Sequence, residues 1–175
     1  VWQLSQKRYG ALFAIEQTMG LKDHIETGVE IKGVLSPELA LTIFHPKTAL
    51  HDGGVILSGE RFVAASCVFS VSQSEVGDRS MGLRHRAAIG LTEESDAVTI
   101  VVSEETGQVS ICIDGKIERN LEEDAFRERL EEIFLSNSEV DDNEEGLDEE
   151  GLDEEGLDEE IIRQQLDTEE RVATG

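Results

Sequence analysis

The chain has 175 residues, 38% of them hydrophobic, with 39 acidic and 15 basic side chains and a formal charge of −24. That length fits one ordinary domain able to bury a core without disulfide or metal staples, and the acidity argues against a duplex DNA- or RNA-binding surface, which needs clustered Lys and Arg. The charge is uneven: residues 1–121 hold 16 acids and 11 bases, residues 122–175 hold 23 and 4, so the expected folded part is only mildly acidic and leaves room for a local nucleotide site.

In chain order, residues 2–9 read as the last turns of a helix and 10–16 as a buried strand, a short apolar run bounded by Gly and polar residues. A loop or short helical turn over 21–27 leads to a strand near 29–35. Ser36-Pro37-Glu38 is a helix start, with Ser as N-cap, Pro at the first helical position and an acid suited to the dipole. Pro46 stops that helix after about Phe44. Residues 55–58 and 62–69 read as strands joined by the Gly59-Glu60 turn. The polar stretch 70–82 is a loop, and 84–89 is helical, ending at Gly90. Residues 98–103 and 109–113 form a strand pair across Gly107, followed by a turn at Asp114-Gly115.

Residues 120–135 place Leu121, Ala125, Phe126, Leu130, Ile133 and Phe134 at helical spacing, with Asn120 as N-cap. Phe13, Phe44, Phe62, Phe126 and Phe134 fit core positions. Beyond Ser136 the apolar pattern ends, and Gly-Leu-Asp-Glu-Glu recurs at Gly146, Gly151 and Gly156. A five-residue repeat matches neither helix nor strand period, so 136–175 reads as a disordered acidic tail, with any partner unidentified, after a domain over 1–135. The fold class is α/β (α+β), a mixed central β-sheet flanked by helices. Cys67 and Cys112 lie in apolar strands and read as buried free thiols of a reducing compartment. No run reaches the 18–20 apolar residues of a membrane helix. The chain begins at Val1, which suggests a fragment from which an amino-terminal membrane segment has been removed.

Two polar clusters interrupt this background, Leu50-His51-Asp52-Gly53-Gly54 and Gly82-Leu83-Arg84-His85-Arg86, with Ser103-Glu104-Glu105 downstream. Imidazole and carboxylate suit a divalent ion, guanidinium grips phosphate oxygens, and Gly lets backbone approach a ligand. Arg84 stands at a helix start, where free N–H groups favour an anion. Each cluster also has a blander reading: a turn for the first, a solvated basic patch for the second, and a strand entering solvent for Glu104-Glu105. Strand alternation lets only one of those two carboxylates reach a site. His24 and His45 read as surface or helix-end histidines.

Asp52-Gly53-Gly54 and Arg84-His85-Arg86, some thirty residues apart, with Val102-Ser103-Glu104-Glu105-Thr106-Gly107 behind them, make the run from Gly10 to about Leu130 resemble the diadenylate cyclase family. Leu4-Ser5-Gln6-Lys7-Arg8-Tyr9-Gly10 is similar to the junction after the membrane helices of its membrane-linked branch, implying a cytoplasmic domain tethered to the membrane. The resemblance implies condensation of two ATP into cyclic di-AMP and two pyrophosphates by a head-to-head homodimer. It implies Asp52, Arg84 and Arg86 as catalytic residues, and Mg²⁺ or Mn²⁺ at His51, Asp52 and Glu104 or Glu105. The implied substrate contacts are Leu50, Gly53, Gly54, Phe69, Leu83, His85 and Ser103.

Three positions depart from that pattern. Gly54 replaces a usual Ala, adding backbone freedom while removing little contact. Leu83 stands for a Thr whose hydroxyl would touch the nucleotide. Val68 falls where a base-stacking Tyr is common. The competing readings are a nucleotide-binding module without turnover, and an interaction protein acting through its acidic tail.

Overall fold

The computed structural model describes residues 1–73 and 81–141, with side chains described up to 135 in the last helix. The chain divides into two units, Val1–Phe134 and Leu135–Gly175. The first holds the sheet. Of the second, only the end of one helix falls among the described residues, and the expected tail beyond 141 lies outside them.

Seven strands form one sheet: β1 Ala11–Ile15, β2 Val29–Val34, β3 Gly54–Ser58, β4 Arg61–Cys67, β5 Val98–Val102, β6 Val109–Ile113 and β7 Lys116–Leu121, in spatial order β2-β4-β3-β1-β5-β6-β7. Among the described residues only β1 and β3 run parallel, and every other pair is antiparallel. The helices are α1 Trp2–Lys7, α2 Lys22–Ile25, α3 Pro37–Ile43, α4 Leu83–Glu94 and α5 Glu123–Asp141.

Two cores follow from strand alternation, because successive side chains leave opposite faces of a strand. Phe13, Val55, Leu57, Val98, Ile100 and Ile111 pack with Leu4, Ile43, Phe44 and Phe126 of α1, α3 and α5 or their ends. Leu12, Ala14, Ile56, Ala64, Val101 and Cys112 pack on the other face with Ala88, Ile89 and Leu91 of α4. Trp2 meets Phe126 edge-on at 5.7 Å. Both cysteines are free and buried, and burial pushes the Cys67 thiol up to about 11.

Local signals act as the sequence suggests at several points. Ser36 Oγ accepts the Leu39 N–H at 3.2 Å with Pro37 in the first turn. Asp114 and Gly115 both take positive φ, the two-residue hairpin turn that joins antiparallel β6 and β7.

Four readings are corrected. Strand β7 occupies 116–121, where Asn120 was expected to cap a helix; its charged, largely exposed Lys-Ile-Glu-Arg pattern is that of a sheet edge. Gly90 does not end α4, which continues to Glu94. Its missing Cβ instead admits the Ser70 carbonyl and, at 2.8 Å, the Ser72 amide. Helix α5 begins at Glu123 and continues past the expected boundary to Asp141. Phe134 is 38% exposed, on the outer side of α5 from buried Phe126 and Ile133.

The register decides where the polar clusters go. Phe13 pairs with Val55, Ala11 with Val102, Gly54 with Cys67, and Val109 with both Val102 and Leu121. The starts of β1, β3 and β6 and the ends of β4, β5 and β7 therefore share one sheet edge.

Candidate functional site

At that edge the two motifs meet through Arg84. Its guanidinium donates to Glu104 Oε2 at 2.7 Å and to the His51 carbonyl at 3.3 Å, linking the second motif to the first and to the end of β5. Its Nε is buried without a hydrogen-bond partner among the described residues. Gly10 makes this geometry possible: a Cβ there would stand 2.8 Å from Glu104 Oε2 and 2.9 Å from Arg84 Nη1. Sequence reasoning counted Gly10 only as a strand boundary.

The first motif is a loop between α3 and β3. His51 Nδ1 lies 2.6 Å from the Thr48 carbonyl. A carbonyl only accepts, so Nδ1 carries a proton, and in the neutral ring Nε2 is left with the lone pair that a metal would take. Asp52 is exposed, with Oδ1 accepting the Gly53 N–H at 2.9 Å. Gly53 has φ 79°, and a Cβ there would lie 2.6 Å from the Cys67 carbonyl, so both conformation and space demand glycine.

Gly54 differs from the expectation attached to it. Its φ is not positive, so backbone freedom is not what the site uses; the Phe69 ring fills the place of its Cβ. Phe69 is buried, its edge against His24 at 5.5 Å. It is therefore a core ring beneath the site and not an open face for a base, a correction to its expected substrate contact. Leu50 likewise packs against the core. Val68 is 64% exposed, with its N–H donating to Thr27 Oγ1 at 2.9 Å and its carbonyl accepting from His24 Nδ1 at 3.3 Å.

The start of α4 has Gly82 as N-cap and no side-chain cap, leaving the first-turn N–H groups for a ligand. A cavity of about 200 Å³ opens there, lined by Leu83, Arg84 and His85, by Ser103, Glu104 and Glu105, and by Ser110, Arg119 and Asn120. His85 is buried; burial, then the charge of Arg119, holds its imidazole below the usual 6.5. Arg86 is exposed and outside this lining. Glu104 is engaged by Arg84, whereas Glu105 has no hydrogen bond or ion pair among the described residues. Arg119 was not foreseen, since β7 itself was not.

His51, Asp52, Glu104 and Glu105 do not converge into one ligand set: among the described residues no group of three or more His, Cys, Asp or Glu is placed to hold a metal. Adjacent His51 Nε2 and Asp52 still suit a hard divalent ion of the kind that takes its other ligands from substrate phosphates and water. No described helix is long and apolar enough to cross a membrane.

Residues 1–117 match the family described as DAC, DisA bacterial checkpoint controller nucleotide-binding. The chain is 44% identical over 135 residues to the cyclic di-AMP synthase CdaA of Bacillus subtilis, covering 77% of this chain and 50% of that protein. It is 39% identical to a diadenylate cyclase of Listeria monocytogenes, covering 75% and 47%. It thus spans about half the length of these curated relatives. The crystal structure of a double mutant of DacA from Staphylococcus aureus superposes with a TM-score of 0.73 at 42% identity, over 75% of this chain and 87% of that one. A structure described as a hypothetical membrane spanning protein from Bacillus cereus gives 0.66 at 38% identity, over 69% and 59%.

Proposed function

The chain belongs to the DAC nucleotide-binding family, and from that premise we propose that it is a diadenylate cyclase, condensing two ATP into cyclic di-AMP and two pyrophosphates. The observation that carries the reading is the meeting of both motifs at Arg84, beside the uncapped start of α4. A turnover-deficient binding module would have no need to keep Asp52 and Arg84 together with their supports, Gly10 and Glu104.

In each half-reaction the 3′-oxygen of one ATP bonds to the α-phosphorus of the other, and the bond from that phosphorus to the α,β-bridging oxygen breaks. The electron pair leaves on pyrophosphate, and Asp52 takes the hydroxyl proton. Arg84 and the first N–H groups of α4 hold the phosphoryl oxygens, where negative charge gathers. Gly53 lets backbone approach the nucleotide, and Ser103 donates a hydroxyl. Arg86 faces solvent within one subunit, so its part in phosphate binding belongs to the assembled dimer. Two ATP must face each other, which requires a head-to-head homodimer.

His51 and Asp52 would hold Mg²⁺ or Mn²⁺, whose other ligands would come from substrate phosphates and water, with Glu104 kept for Arg84. The ion, when bound, supplies Lewis-acid polarisation of the phosphates. The description carried by the Bacillus cereus relative supports reading this domain as the cytoplasmic part of a membrane-tethered protein. The test is incubation with ATP and Mn²⁺ or Mg²⁺ beside Asp52→Asn, with nucleotides resolved by mass. Cyclic di-AMP from the parent and not from the variant is expected; ATP binding without product in either metal overturns the proposal.

A further inference from the structure

Strand β7 brings a cation to the site that neither motif contains. Arg119 follows Ile117, which packs on the α4 face of the sheet, so alternation puts Arg119 on that same face. It lines the cavity at the start of α4 together with Arg84, Ser103 and Ser110. Of the two motif arginines, Arg84 is paired with Glu104 and Arg86 lies outside the cavity. Arg119 makes no hydrogen bond or ion pair among the described residues. Arg129, its neighbour in type on α5, is bonded to Glu118 at 2.9 Å and to Glu132 at 3.2 Å.

The size of the cavity narrows the ligand. About 200 Å³ is below the roughly 300–1,000 Å³ of clefts that enclose whole small molecules. Its described lining offers helix N–H groups, hydroxyls, two guanidiniums and two carboxylates, one of them paired with Arg84, and no Phe, Tyr or Trp. Such a chamber suits the polyphosphate end of a nucleotide while the base lies outside it. Glu105 shares the lining with its side chain exposed.

Resting on the cyclase reading, we infer that Arg119 binds the β- and γ-phosphates of the ATP under attack and stabilises the pyrophosphate that leaves. As the bond from the α-phosphorus to its bridging oxygen breaks, the electron pair goes to pyrophosphate, and a planar fork of donors meets the added charge bidentately. The α-phosphate, the only phosphate retained in the product, stays with Arg84. The reach of the Arg119 charge to His85 at the base of α4 is in keeping with that placement.

Isothermal titration with ATP, magnesium pyrophosphate and cyclic di-AMP, on the parent, Arg119→Ala and Arg119→Lys, separates the roles. Arg119→Ala is expected to weaken ATP and pyrophosphate about ten- to a hundredfold and to leave cyclic di-AMP, which has no β- or γ-phosphate, unchanged. Arg119→Lys keeps the charge without the fork and falls between. In the same Arg119→Ala variant the His85 imidazole, followed by NMR, titrates higher than in the parent. Equal losses for all three ligands would make the role structural and overturn the inference, as would unchanged pyrophosphate affinity or a parent that binds no pyrophosphate. A parent that binds pyrophosphate through Arg119 yet makes no cyclic di-AMP would keep the anion site and remove the cyclase reading alone.

Discussion

Replacing Gly54 by Ala tests whether glycine is there for space. The new methyl would overlap Cε2 of Phe69 and stand 3.1 Å from both Cδ2 and Cζ, so the ring must turn or the strand must move. Phe69 is 6% exposed, and its other edge meets His24, so it has little free volume to turn into. Overpacking of this kind costs about 1–3 kcal/mol. Phe69→Leu removes two of the three crowding atoms, Cε2 and Cζ; alone it loses apolar burial of about 1 kcal/mol. The double variant should therefore be more stable than the sum of the singles by about 1–2 kcal/mol. Urea denaturation of the four proteins, with m held constant, measures the cycle. Strict additivity, or a neutral Gly54→Ala, would refute the steric argument.

Two further outcomes follow from the same geometry. Gly10→Ala presses on the charged ends of Glu104 and Arg84, which can swing aside, and on Glu104 Cβ at 3.0 Å, which cannot, so unfolding free energy should fall by about 1 kcal/mol, the low end of overpacking costs. Cyclisation should also fall at least about tenfold as Arg84 loses a charge-assisted bond; a fully active, equally stable variant would show that the Arg84–Glu104 pair is dispensable. His85 is held below 6.5 by burial and then by Arg119, so below that pH the unfolded chain takes up a proton that the folded one refuses. Its contribution to stability is complete above about 6.5 and is lost as pH falls toward the folded value. His85→Gln should flatten the fall in urea midpoint over that window, and parallel curves for parent and variant would contradict it.

Much of this protein is legible locally. The Ser36-Pro37 start of α3, the Asp114-Gly115 turn and the apolar strands β1, β5 and β6 are set by capping, turn chemistry and alternation, which act over a few residues. The two motifs that carry the family resemblance are likewise contiguous in sequence. Strand β7 was illegible because an edge strand has only one bonded neighbour and can be as polar as a loop. Gly10, Gly54 and Gly90 read as boundaries, freedom or a helix stop, and each proves to be room for a group distant in sequence: the Arg84–Glu104 pair, the Phe69 ring and the Ser70 carbonyl.

The sequence by itself determined most of the elements, though not β7, together with the family and the chemical types at the site, because propensity and motif are properties of neighbours along the chain. Tertiary structure alone decided that Glu104 serves Arg84 while Glu105 has no partner among the described residues, that Phe69 lies beneath the site, and that Arg119 joins it. Those outcomes depend on the register of β1 against β5 and of β6 against β7. Register is fixed by two packed faces at once, and no local stretch of sequence contains both.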